Sequence, residues 1–376
     1  VRAVSALGSN YGFDDIDTII GRYRNSAQIL DSTLSDRGLR ELEIGTLAIT
    51  KSATLVEGAC LKAPSITLAA KNAILLERES SVLASGPSGQ AVFTVPDGLF
   101  AMAPNALVGA SKMIELNAAS ALLNGKMNSD GGTLAVESDS LLIVPDAYKG
   151  VQSGGLYLTD SLERITGFDH LEIKADTSVT LLGGTSMNMS DAVETITIDT
   201  PLVTGEPLGG SREMKLGAKR LFLVNTGATA AGGGQPDDAD LLVFDAGDDI
   251  FIGHGDIAID GFKQIRFDAS GDVVMRGEGS LTTGGALDVS ASRLTTAVFQ
   301  DGQNDFEVAR FLLQAGSASD GYNDISLTSK GGIAERSHLA GGTLEVFGDT
   351  IQFNSGVVYV AGAWVSLKAF GASAEG

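Results

Sequence analysis

Short stretches in which apolar and polar residues alternate recur along this 376-residue chain. One phrase appears at Gly132-Thr133-Leu134-Ala135-Val136, at Gly285-Ala286-Leu287-Asp288-Val289 and at Gly342-Thr343-Leu344-Glu345-Val346. His170-Leu171-Glu172-Ile173 and Gly45-Thr46-Leu47-Ala48-Ile49 are close variants. Each opens on a turn residue or polar residue and then follows period 2, which puts one apolar row on one face of a strand. The rhythm continues through Ile66-Thr67-Leu68, Asn72-Ala73-Ile74-Leu75-Leu76 and Ser81-Val82-Leu83, and near the end through Gly356–Val360 and Ala363–Leu367. Strands this short, split by turns of about 2–5 residues, are too regular for a sandwich and suit a solenoid. The chain is therefore expected to be all-β: a parallel β-helix, or β-solenoid, in which stacked coils share one core that no single coil could bury alone. The 57-residue offset between Gly285 and Gly342 predicts three coils of about 19 residues.

Three stretches break the pattern. Within residues 1–41, Ile16, Ile19, Ile20, Tyr23 and Ile29 approach helical spacing, which predicts an irregular or partly helical N-terminal segment ahead of a shaft over 42–376. An insertion near 304–316 reads as a short helix, capped by Asp305, faced by Phe306, Ala309, Leu312 and Leu313, and ended by Gly316. Another near 226–240, with Gly232-Gly233-Gly234 and Pro236, reads as an exposed loop.

Composition sharpens this picture. Glycine is abundant (48 residues) while proline is scarce (8), a pairing that fits many tight turns rather than disorder. A formal charge of −21 excludes nucleic acid as a partner and disfavours anionic lipid, while leaving calcium, a basic partner or plain solubility open. The one cysteine, Cys60, permits no intrachain disulfide and reads as a buried structural thiol beside strand residues. No apolar run reaches 18 residues. The opening Val1-Arg2-Ala3 and the small-residue close, Gly371 to Gly376, read as ends cut from a longer or processed chain.

The most suggestive chemical feature is an acidic cluster: Asp237, Asp238, Asp240, Asp245, Asp248, Asp249, Asp256 and Asp260. Grouped carboxylates can supply the 6–8 oxygens that calcium takes, which makes Asp245, Asp248, Asp249 and Asp256 the candidate metal ligands. Gly247-Asp248-Asp249-Ile250-Phe251-Ile252-Gly253 is similar to one unit of a glycine-aspartate calcium repeat, but the next unit, Gly253-His254-Gly255-Asp256, is out of register. Aspartate is also favoured in turns for its own sake. Grouped aspartates could instead serve a polysaccharide lyase or hydrolase, yet the cluster has no basic neighbour in sequence before Lys263 and Arg266.

Other motifs fall away on context. Gly253-His254-Gly255-Asp256-Ile257-Ala258 has dinucleotide-type spacing, but a turn at Ile259-Asp260-Gly261-Phe262 follows it where a helix is required. His170, His254 and His338 are about 84 residues apart, not at metal-ligand spacing. Trp364 reads as core or coil-end packing. No catalytic or cofactor-binding residue is assigned, and no cofactor beyond calcium is implied.

Several coils resemble those of filamentous-haemagglutinin-type bacterial exoproteins. They include Gly341 to Phe353, Ser326-Leu327-Thr328 with Gly331-Gly332-Ile333, and Gly285 to Ala291. That resemblance implies a secreted, extracellular or cell-surface protein exported through an outer-membrane transporter by two-partner secretion, with a long shaft that is a right-handed parallel β-helix. It also implies partners in a host or neighbouring cell surface, in matrix polysaccharide, or in further copies of the chain. The function expected first is a non-catalytic structural and adhesive shaft segment. A self-assembling subunit of an extracellular fibre, joined end to end through exposed strand edges, is the alternative. A β-helix polysaccharide lyase or hydrolase is the second.

Overall fold

The computed structural model describes residues 28–29, 47–48, 52–55, 57–145, 155–159, 164–189, 192–207, 213–227, 239–297, 299–300, 306–307, 309–331, 341–354 and 363–371. Two compact units divide the chain, Val1–Ala175 and Asp176–Gly376. Each is a parallel β-helix, and among the described residues neither contains a helix.

In the first unit, alternation does what the sequence predicts. The strands Ser65–Ala69, Gln90–Met102, Met113–Leu123 and Lys126–Val144 pair in parallel, so that Leu68, Phe93, Leu116 and Val136 stack in one column. Each of the four is 1% exposed. Their polar neighbours face outward, where Asn117 donates to Glu137 at 2.9 Å and Lys174 pairs with the same carboxylate at 2.8 Å.

A second ladder of this unit is buried on both faces. The strands Ser52–Leu55 and Ala73–Leu76, the stretch Leu99–Met102 and the stretch Ser120–Leu123 are buried at every position and pair in order. A parallel sheet covered on both sides reads as a continuous apolar run, which accounts for the sequences Ala-Ile-Leu-Leu and Leu-Phe-Ala-Met here. Ala70, Ala118 and Ala121 are among the many buried alanines of these coils.

In the second unit a seven-stranded parallel sheet carries the longest column. Leu216, Phe244, Phe267, Val289, Leu327 and Phe353 follow one another in register. The Phe244 and Phe267 rings stack at 5.0 Å between centroids and 13° between planes. A second column, on another face, runs Ile257, Leu281, Leu313, Val346, Leu367. Gly205 belongs to the same interior logic: a Cβ there would sit 2.4 Å from Cζ of the fully buried Phe262, so the aromatic ring occupies the space a side chain would need.

Several expectations change. The coil is longer than 19 residues: the first column repeats at intervals of 25, 23 and 20, and the long column of the second unit at 28, 23, 22, 38 and 26. The 57-residue offset is not three coils, because the strand Ala286–Ala291 and the strand Gly342–Gly348 lie in different sheets. The helix expected near 304–316 is strand where it is described. Arg310–Ser317 pairs in parallel with Glu278–Thr283 and with Gly342–Gly348. Phe311, Leu313 and Ala315 alternate inward, so period 2 prevails over the apparent helical face, as ladder partners on both sides satisfy the backbone. In the insertion near 226–240, residues 228–238 lie outside the described residues, and Ala239 and Asp240 already begin the strand Ala239–Ala246. Of residues 1–41 only Gln28–Ile29 is described, and it is extended and paired with Thr54 and Leu55. The rest of that expected segment lies outside the described residues.

Candidate functional site

The acidic cluster is dispersed rather than convergent. Asp245 lies on the outer face of the seven-stranded sheet, where it pairs with Lys215 of the preceding coil at 2.5 Å. Asp248 and Asp249 form the turn before the strand Ile250–Ile252, in another sheet. The Asp248 carbonyl accepts from the Gly271 N–H at 2.7 Å. Asp256, on the strand Gly255–Asp260, accepts from the Ser280 hydroxyl at 2.7 Å. Asp260 is buried, Asp240 begins a strand, and Asp237 and Asp238 lie outside the described residues. Among the described residues no group of three or more His, Cys, Asp or Glu side chains is placed to hold a metal ion. The four candidate calcium ligands are thus not brought together: Asp245 lies in a different sheet from Asp256, and Asp249 and Asp256 bond to separate partners on the next coil.

What the aspartates do instead is bridge coils. Asp249 is buried, and its Oδ1 accepts from the backbone N–H of Asp272 on the next coil at 2.8 Å. Asp272, also buried, receives a two-pronged contact from Arg293 one coil further on, with Nε 3.0 Å from Oδ1 and Nη2 2.5 Å from Oδ2. Beside them Arg276 lies over the Phe251 ring at 3.9 Å and near the Phe222 ring at 5.4 Å, and those two rings stack at 4.8 Å. Burial pushes the Arg276 guanidinium below its ordinary pKa, and the charge of Asp249 opposes that shift. This Asp249–Asp272–Arg293 ladder, with Arg276 on the aromatic stack, is the most developed polar arrangement among the described residues. Sequence spacing hid it, since its members stand about one coil apart.

In sequence the cluster has no basic neighbour before Lys263 and Arg266, but in the stack Lys215 reaches Asp245 and Arg276 faces the charge of Asp249 from adjacent coils. On the outer face of the seven-stranded sheet, Asp245 and Asp268 are register partners on neighbouring strands, separated by about 4.8 Å of sheet spacing. Asp268 pairs with Lys330, as Asp245 pairs with Lys215. Cys60 is exposed on the strand Cys60–Ala63, not buried, because the inward positions of that strand are Leu61 and Ala63. His254 is exposed in a turn, His170 lies on the strand Ile165–Leu182, and His338 is outside the described residues.

Comparison with family models, with curated proteins and with solved structures returned no match. What the residues themselves single out is the surface of the last coils. Among the described residues, the exposed large hydrophobics are Phe353, Trp364, Val365, Leu367 and Phe370. Phe353 and Leu367 are the last described members of the two interior columns followed above, and among the described residues no further strand pairs beyond them. The Phe370 ring stacks on Tyr322 at 4.1 Å and meets Phe347 edge-on at 5.9 Å, while Lys368 lies over the Phe347 ring at 4.4 Å. Trp364, expected in core or coil-end packing, is instead 60% exposed.

Proposed function

We propose that the chain is a non-catalytic structural and adhesive shaft segment of a secreted bacterial surface exoprotein, reached through an outer-membrane transporter. The observation that carries this reading is where the charged side chains go. Lys215–Asp245, Lys219–Glu194, Arg293–Asp272, Arg310–Glu278 and Lys330–Asp268 each join one coil to another. Polar chemistry of this kind holds a stack together instead of converging on a substrate. The partners of such a shaft are a host or neighbouring cell surface, or matrix polysaccharide, met along its outer faces. The test is adsorption of labelled 376-residue chain to cells and to immobilised matrix glycans. Saturable binding supports the reading, and binding no greater than that of an unrelated acidic protein overturns its adhesive part. Release of unsaturated product from uronic-acid polymers, lost in Asp245→Ala or Asp249→Ala, would favour the lyase reading in its place.

A second reading is favoured by the last coils. Among the described residues one edge of the strand Ala363–Ala369 has no paired strand, and an open edge of this kind invites pairing with another chain, which supports assembly of further copies end to end.

A further inference from the structure

We infer that Asn124 and Gly125 form a self-modifying site, in which the Gly125 amide nitrogen closes on the Asn124 side chain while Arg164 stabilises the oxygen that becomes charged. The pair joins the strand Met113–Leu123 to the strand Lys126–Val144 and is the one Asn-Gly step in the sequence. The inference is independent of what the shaft binds and stands on three observations at this corner.

The first is the nucleophile. The amides on either side are tied to the preceding coil: the Asn124 N–H donates to the Met102 carbonyl at 3.1 Å, and the Lys126 N–H to the Ala106 carbonyl at 2.8 Å. Gly125 is buried between them, and among the described residues its N–H has no hydrogen-bond acceptor. A buried N–H in this state is rare and calls for a reason. The second is the electrophile. Arg164, just ahead of the strand Ile165–Leu182, donates from Nη1 to Asn124 Oδ1 at 3.3 Å. A guanidinium has only donors, which puts the amide oxygen and not its nitrogen on that side. The cation draws electron density from Cγ and faces the oxygen on which charge develops during attack. The third is room. A Cβ on residue 125 would lie 2.5 Å from the Ala106 carbonyl oxygen and 2.7 Å from Met102 Cε, so the corner requires glycine, the residue that hinders attack least. Glycine also lets the one peptide plane between the two residues turn while both anchoring bonds stay in place. Asn124 is half-buried, so water enters and ammonia leaves.

The reaction consumes water and releases ammonia. Gly125 N gives up its proton to base and bonds to Asn124 Cγ. The Cγ–Nδ2 bond then breaks, Nδ2 takes up a proton from water and departs as ammonia, and a succinimide ring remains. Water opens the ring at either carbonyl, giving aspartate or its isomer with the main chain routed through Cγ. No oxidant or cofactor takes part. In the aspartate product a carboxylate replaces the amide opposite Arg164, which makes a stronger, charge-assisted bond between positions 40 residues apart.

The experiment is peptide mapping by mass spectrometry of the 376-residue chain held at neutral and at alkaline pH, folded and in urea. Expected is conversion of the Asn124 amide to a carboxyl, faster in the folded chain than in urea and faster as pH rises. Asn128, exposed and followed by Ser129, should keep its amide over the same interval. Arg164→Ala should slow conversion at least about tenfold, with Arg164→Lys between the two; circular dichroism verifies that each variant is folded. Conversion slower in the folded chain than in urea, or equally fast in folded Arg164→Ala, overturns the assignment, and so does an Asn124 that stays intact. The comparison of folded chain with urea uses no variant, so it decides the matter even if Arg164→Ala does not fold.

Discussion

Removing Arg293 should cost the second unit far more than removing a surface arginine of the same type. The Arg293 guanidinium makes three contacts of 2.5–3.2 Å to Asp272, whose side chain is 3% exposed. Arg293→Ala strands that carboxylate inside the coil stack, where losing one partner of a buried pair costs about 3–5 kcal/mol. Arg293 itself is 22% exposed, so water can reach part of the vacated site and the expected loss falls to about 2–3 kcal/mol. The internal control is Arg310, paired with Glu278 at 3.3 Å with the two side chains 75% and 56% exposed. Arg310→Ala should cost less than about 0.5 kcal/mol. Replacing both members, as Asp272→Val with Arg293→Leu, removes the stranded charge and should recover more than half of the single-variant loss. Urea unfolding followed by far-UV circular dichroism reads these differences as midpoint shifts at unchanged slope. If Arg293→Ala and Arg310→Ala prove equal, or the double variant is worse than the sum of the singles, burial of the pair is not what gives it weight.

Phe267→Ala should destabilise by about 3–5 kcal/mol, since the ring is fully buried and stacked on Phe244, and Phe267→Leu by markedly less; thermal melts of the two variants check the ordering. Gly205→Ala drives a methyl into the Phe262 ring and should cost about 1–3 kcal/mol, relieved by adding Phe262→Leu; a double variant no better than the single would show that the clash lies elsewhere. Glu194 is held below its ordinary pKa of 4.5, first by its hydrogen bond from Lys219, so its contribution is present above that value and lost as pH falls through the lowered one. Lys219→Ala should move the carboxyl titration upward in an NMR pH series, and no movement would assign the shift to another cause.

The alternation in Gly132–Val136, Gly285–Val289 and Gly342–Val346 determined strand, burial direction and the stacked architecture, because period 2 with one apolar row has few other solutions. Local pattern carries that information since each side chain's face depends only on its own strand. Coil length was not legible. Insertions between strands change the interval from 20 to 38 residues without altering the pattern inside any strand. Phe306 to Gly316 looked helical because apolar residues happened to fall near helical spacing. Ladder partners on both sides, from Glu278–Thr283 and Gly342–Gly348, decided otherwise. The acidic stretch from Asp237 to Asp260 looked like one site because its members are close in sequence. Stacking distributed the described ones among sheets and joined Asp249 to Asp272 and Asp272 to Arg293 across coils. In a parallel β-helix a residue's chemical neighbours lie a full coil away along the chain, and only the register of the folded stack says which residues those are.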